Sequence, residues 1–253
     1  MAERKAIPTS QVKPKKSAEI VAGRLRLAIV NGDISRGEML PVERDLIESF
    51  GVSRATMREA LRILETEGLL EVARGAKGGA RILGPTLALA SHAVGMVLQA
   101  QGTQLADVQI ARQIIEPPAA RMVAERSARE RKQIVKKLIE ALEAERAALD
   151  DADFPYKAMA FHETLVQLSG NRTLSTFLLV LHEIHEGVAA AMSQHSGRNR
   201  IREKTLDFHA QLIAIVRQGD GDAAESLWRE YWQWITPYTH PDEAIVDVLR
   251  NLS

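Results

Sequence analysis

Residues 41–70, PVERDLIESFGVSRATMREALRILETEGLL, decide how this chain reads. Gly51-Val52-Ser53 is a short turn between two short helical patterns. Ser53 suits an N-cap, because its hydroxyl can accept from a first-turn amide that has no partner inside the helix. After it the residues divide by face at a spacing of three to four. Met57, Ala60, Leu61 and Leu64 form an apolar stripe, while Arg54, Arg58 and Arg62 stack along another side. Gly68 stands where a helix end favours a left-handed residue. Two helices joined by a tight turn, the second with arginines at its exposed start, suit a helix that enters the DNA major groove. The same three arginines also fit an ordinary solvated face.

On either side the pattern extends. Ser17 can cap a helix in which Val21, Leu25, Ala28 and Ile29 share one face, ending at Asn31-Gly32. A loop with Gly37 leads to a helix starting near Pro41, whose fixed φ suits a first turn. Beyond Gly68, residues 69–73 and 80–83 read as short strands around a glycine-rich tip, Arg74-Gly75-Ala76-Lys77-Gly78-Gly79. Glycine lets such a tip approach a sugar-phosphate chain closely. Three helices and this hairpin make a winged helix-turn-helix over residues 17–83, preceded by a polar, basic arm at 1–16 that reads as disordered.

Charge supports that division. The 253-residue chain has 33 basic and 33 acidic residues, yet residues 1–81 hold 15 Lys and Arg against 11 Asp and Glu, so the first third carries +4 and the remainder −4. Phosphate contacts are therefore expected from the first third. With no cysteine, disulfides, thiolate metal sites and cysteine nucleophiles are excluded. No apolar run spans a bilayer and no signal peptide is present, so the expected location is cytoplasmic.

Gly84-Pro85 ends the first domain, since proline continues neither a helix nor a paired strand. Helical periodicity then takes over: a connector helix in 84–103, an all-α bundle of six or seven helices in 104–240, and a C-terminal tail at 241–253. Pro117-Pro118 is expected to kink or break the first bundle helix, and Ser127 with Glu130 forms a capping box for the next. The fold class is mainly α, a winged helix-turn-helix followed by a helical bundle.

The run 37–46 (GEMLPVERDL), then 51–61 (GVSRATMREAL), then Leu64 and Glu67-Gly68-Leu69, resembles the GntR family of bacterial transcription regulators. By that resemblance Arg44, Ser53, Arg54, Thr56 and Arg58 would contact operator DNA, with the wing at Lys77, Gly78 and Gly79 reaching the minor groove. Val42 departs from the family's usual Ser and should weaken that helix's cap by up to about 1 kcal/mol. The second half resembles the FCD-type ligand-binding domain of the FadR subfamily, through Ala111-Arg112, Ile115-Glu116, Phe161-His162, residues 168–171 (LSGN), Phe208-His209 and Gly219-Asp220. The resemblance implies a homodimer on a palindromic operator and a repressor answering to a small organic acid; a pocket without the metal could take a bulkier apolar acid instead, and the lack of an apolar span implies no membrane partner.

The same resemblance implies an effector site inside the bundle, often built on a metal held by Asp (or Asn) and three His. His162 and His209 stand at two of those positions, but Ala158 replaces the Asp and Tyr231 the last His. Two histidines give too few donors for a stable site, so no metal or other cofactor is expected unless His182 or His185 is recruited. His162 and His209 are then either pocket donors or satisfied core histidines. Arg112 either pairs with a ligand carboxylate or makes a salt bridge to Glu116 one turn on. Arg112, His162, Asn171, His209 and Tyr231 are the candidate effector residues. No nucleophile elbow, phosphate loop or H-E-x-x-H motif appears, so the chain is not expected to be an enzyme. The alternative is a ligand-independent, architectural DNA-binding protein with a degenerate pocket.

Overall fold

A computed structural model describes residues 14–73, 79–192, 198–239 and 245–246. The chain forms two compact units, residues 1–89 and 90–253.

In the first unit, α1 (Pro14–Asn31), α2 (Glu43–Phe50) and α3 (Arg54–Thr66) are followed by the antiparallel strands β1 (Leu70–Val72) and β2 (Ala80–Ile82). The stripe expected on α3 is the core: Met57, Ala60 and Leu64 are fully buried against Ala18, Val21, Leu25 and Ile29 of α1. Burying each of the larger side chains contributes roughly 1.5–3 kcal/mol. Helix α1 begins at Pro14, so Ser17 lies in its first turn rather than capping it, and the helix takes in the last three residues of the expected arm. Val42 precedes α2 without a side-chain cap, as the substitution implies. Gly68 adopts φ +66°, and a Cβ there would fall 2.6 Å from Leu89 Cδ1. The segment read as a loop around Gly37 does more than connect. The amides of Gly37 and Leu40 donate to the carbonyls of Ile82 and Ala80, and Ile82 donates back to Glu38, all at 2.8 Å, so the wing gains a third, edge-like strand.

The second unit is helical. After α4 (Leu87–Ala100), which spans the division between the units, come α5 (Leu105–Ala124), α6 (Ala128–Ala147), α7 (Phe154–Leu168), α8 (Arg172–Met192), α9 (Arg198–Gln218) and α10 (Gly221–Thr239). Helix α5 is the axis and touches each of α6 to α10. Ala119, Ala120 and Ala124, all fully buried, permit that close approach. The expected break at Pro117-Pro118 does not occur, and α5 runs through both prolines. The two missing amides remove two ladder bonds, but neighbours packed along the helix hold it continuous. Ser127 and Glu130 form the expected capping box on α6. Past α10 the chain returns: the Val246 amide donates to Thr103 O at 3.0 Å, and Val246 is fully buried with Val108, Val180 and Ile184.

Candidate functional site

The exposed start of α3 is the first candidate. Ser53 caps it, its Oγ accepting from the Thr56 amide at 3.2 Å. Arg54, Arg58 and Arg62 project into solvent, as does Arg44 from α2. Glu43, at the start of α2, holds two of them, with Arg58 Nε donating to its Oε1 at 3.1 Å and Arg54 Nε lying 3.6 Å from the same oxygen. An exposed pair of this kind is weak, so phosphate or base can displace Glu43 at little cost. Thr56 differs from the other expected contacts: it is buried, and its hydroxyl is hydrogen-bonded to Ser53 Oγ at 2.9 Å. Gly79 packs on the 37–40 edge, where a Cβ would meet Met39 Cε at 2.6 Å. Lys77 and Gly78 lie outside the described residues.

The second candidate is a cavity of about 60 Å³ inside the helical unit. At roughly 10–15 Å³ per water position it has room for a few waters or a small organic molecule. Arg112, His162 and Tyr231 line it, together with residues such as Gln109, Phe154, Met159 and Trp232 that the sequence did not single out. Two expected effector residues are placed elsewhere. Asn171 Oδ1 accepts from the amides of Thr173 and Leu174, both at 3.1 Å, which makes it a cap for α8. His209 lies behind the wall, stacked on Phe161 with ring centroids 4.0 Å apart, its Nδ1 donating to the buried carboxylate of Glu145 at 2.7 Å.

Glu116 organises the wall. It is fully buried on α5 and accepts from Arg112 Nε at 3.2 Å, from His162 Nδ1 at 2.5 Å and from Trp228 Nε1 at 3.0 Å. Burial opposes its ionisation most strongly, but His162, then Arg112, and the polar contacts from His162 and His182 outweigh that and hold its carboxyl well below the usual carboxylate range. Burial also lowers His162, to about 4, against the pull of Glu116. At neutral pH His162 is therefore the neutral tautomer with its proton on Nδ1, and Nε2 accepts from the Tyr231 hydroxyl at 3.3 Å. Burial, reinforced by Glu145 and Glu116, raises Tyr231 and keeps it protonated, as a donor must be.

Arg112 thus makes the salt bridge to Glu116 and also lines the cavity. Its guanidinium carbon stands 4.8 Å over the Trp232 ring, and beyond Nε it makes no hydrogen bond among the described residues.

These side chains do not fit the metal that the family resemblance implies. Both nitrogens of His162 are engaged, one by Glu116 and one by Tyr231, and Ala158 offers no donor. Among the described residues no three His, Asp or Glu side chains converge as a ligand set. His182 Nδ1 is bonded to Glu163 at 3.1 Å, and the His185 side chain lies outside the described residues. Glu145 is the buried acid that spacing alone missed, and Glu116 reads from the sequence only as a partner for Arg112. Glu145 is a lone acid on an apolar helix face, which is the signal that would have marked it.

Comparison with known proteins adds matches to family models, to relatives and to a solved structure. Residues 17–79 match the family described as "Bacterial regulatory proteins, gntR family", and residues 107–233 match the FCD domain. The HTH-type transcriptional repressor NanR of Salmonella schwarzengrund is 29% identical over 232 residues, covering 89% of this chain and 85% of that protein. NanR of Cronobacter sakazakii is 27% identical over 217 residues, covering 83% and 80%. The solved structure of Streptococcus agalactiae GntR aligns with a TM-score of 0.63 at 25% identity, over 87% of this chain and 99% of that one.

Proposed function

Because the chain belongs to the gntR family of bacterial regulatory proteins and carries an FCD domain, we propose that it is a repressor that binds a palindromic operator as a dimer and yields it when a small organic acid occupies the cavity beside Arg112. It is a ligand-responsive transcription regulator and not an enzyme. Among the described residues no helix is long and apolar enough to cross a membrane. The observation that carries the reading is the pairing, on one chain, of a solvent-facing arginine row on α3 with a cavity walled by a buried arginine. Operator contacts are assigned to Arg44, Ser53, Arg54, Arg58 and the wing at residues 77–79, with Thr56 holding the Ser53 hydroxyl in place, and effector contacts to Arg112, His162 and Tyr231. The dimer has support in an uncovered apolar face: Ile110 and Ile114 on α5 and Phe177 on α8 are all more than half exposed, and the two helices are neighbours.

Arg58→Ala tests the DNA half. Loss of a base-reading arginine should weaken operator binding by about 1–3 kcal/mol and leave nonspecific binding nearly unchanged. A titration at fixed salt on DNA from the gene's own promoter region measures it, and unaltered specific affinity would sink the assignment. Arg112→Ala should leave operator affinity intact and blunt the response to acids. The Arg112–Glu116 bridge, complete without any ligand, favours a second reading: a ligand-independent DNA binder whose cavity is packing only. Operator affinity unmoved by every acid tested would select that reading.

A further inference from the structure

Two residues of the cavity wall each carry a buried polar atom that the protein itself leaves unanswered. Gln109 Oε1 and Trp232 Nε1 are buried and have no hydrogen-bond partner among the described residues, and both residues line the cavity. The orientation of the Gln109 amide follows from its neighbour. The Thr239 hydroxyl has a single proton, directed at the carbonyls of Thr236 (3.2 Å) and Ile235 (3.4 Å), so towards Gln109 it accepts, from Nε2 at 2.8 Å. Oε1 is then an acceptor lacking a donor, and Trp232 Nε1 is a donor lacking an acceptor. Arg112 lies one helical turn from Gln109 on α5 and stacks over the Trp232 ring. An anion seat, an acceptor and a donor are gathered on one stretch of wall, beside the apolar surfaces of Phe154, Met159 and Ile235.

Among the described residues no Asp or Glu lines the cavity. A ligand ammonium would therefore enter without a counter-charge, which burial penalises far more than a hydroxyl that finds a partner.

Building on the reading of this cavity as the effector site, we propose that it selects a hydroxy acid over the corresponding unsubstituted acid or amino acid. The carboxylate takes the free amino groups of Arg112, and the hydroxyl donates its proton to Gln109 Oε1 while its oxygen accepts from Trp232 Nε1.

The test is calorimetric titration of the full chain with a matched set, 3-hydroxybutyrate, butyrate and 3-aminobutyrate, and with the six-carbon set of the same pattern. The hydroxy acid should bind about tenfold more tightly than its unsubstituted partner, and the amino acid more weakly than either. Gln109→Leu should erase the hydroxyl preference and keep binding of the unsubstituted acid. Trp232→Phe, nearly isosteric, should weaken the hydroxy acid alone. The comparison within the unmodified protein needs no variant to fold. Equal affinity for the hydroxy and unsubstituted acids, or tightest binding of the amino acid, overturns the inference and leaves the cavity's role as an acid site standing. Failure of every acid to bind or to alter operator affinity overturns both.

Discussion

Glu116 accepts from Arg112 on its own helix, from His162 on α7 and from Trp228 on α10, so one carboxylate pins three sides of the cavity wall. Glu116→Gln should cost about 3 kcal/mol, because Arg112 is left buried without its counter-charge. In a chain of this size that lowers the melting temperature of the helical unit by roughly 6–12 °C, readable by calorimetry. His162 predicts a pH effect. Its folded pKa, about 4, lies below the unfolded value of 6.5, so its contribution is complete above pH 6.5 and drains away as pH falls toward 4. The loss amounts to roughly 3 kcal/mol at the acid end of that window. Glu116, also depressed, drains in the same direction but only below the ordinary carboxylate range. Melting curves between pH 8 and pH 4.5 should show the decline in the wild type and a flatter profile in His162→Gln. A midpoint independent of pH across that range would contradict the burial of a neutral imidazole. Both effects arise from a pairing that spacing could not reveal: Arg112 and Glu116 are four apart and legible as a pair, whereas His162 and Trp228 reach the same carboxylate only through tertiary packing.

At the level of elements, α3 was the most readable. Its stripe, its serine cap and its glycine stop each follow from local rules, and all three recur in the structure. Gly68→Ala makes that concrete. A left-handed φ and a methyl set against Leu89 should together destabilise the N-terminal unit by about 1–2 kcal/mol, visible as a lower urea midpoint with an unchanged slope. What stayed hidden were elements whose state is decided by their surroundings. The 37–40 segment has no strand alternation, yet it becomes an edge because β2 offers it amides and carbonyls to pair with. Helix α5 contains two prolines and persists because packing on both sides of them outweighs two absent ladder bonds. Candidate-site reading divided the same way. Arg112, His162 and Tyr231 came out on the cavity, whereas Asn171 and His209 were drawn off by a helix cap and by a buried glutamate.

For the molecule as a whole, the charge asymmetry between the first third and the remainder fits a chain whose phosphate-facing surface is confined to one end. Operator affinity should accordingly fall steeply with salt, while acid binding beside the buried Arg112 changes less, a contrast measurable by titrating both between 50 and 200 mM salt. Residues 241–253 read from the sequence as a tail. Yet Val246 is buried and its amide bonds to Thr103, just before α5 begins. The point where the chain enters the helical bundle and the point where it leaves are therefore a single backbone hydrogen bond apart. A domain whose ends meet in this way can be cut out and spliced into a loop of another protein, or opened at a different loop and rejoined, without stretching any connection. The bundle from α5 to α10 is, by this geometry, a self-closing cassette suited to circular permutation and to grafting as a sensor.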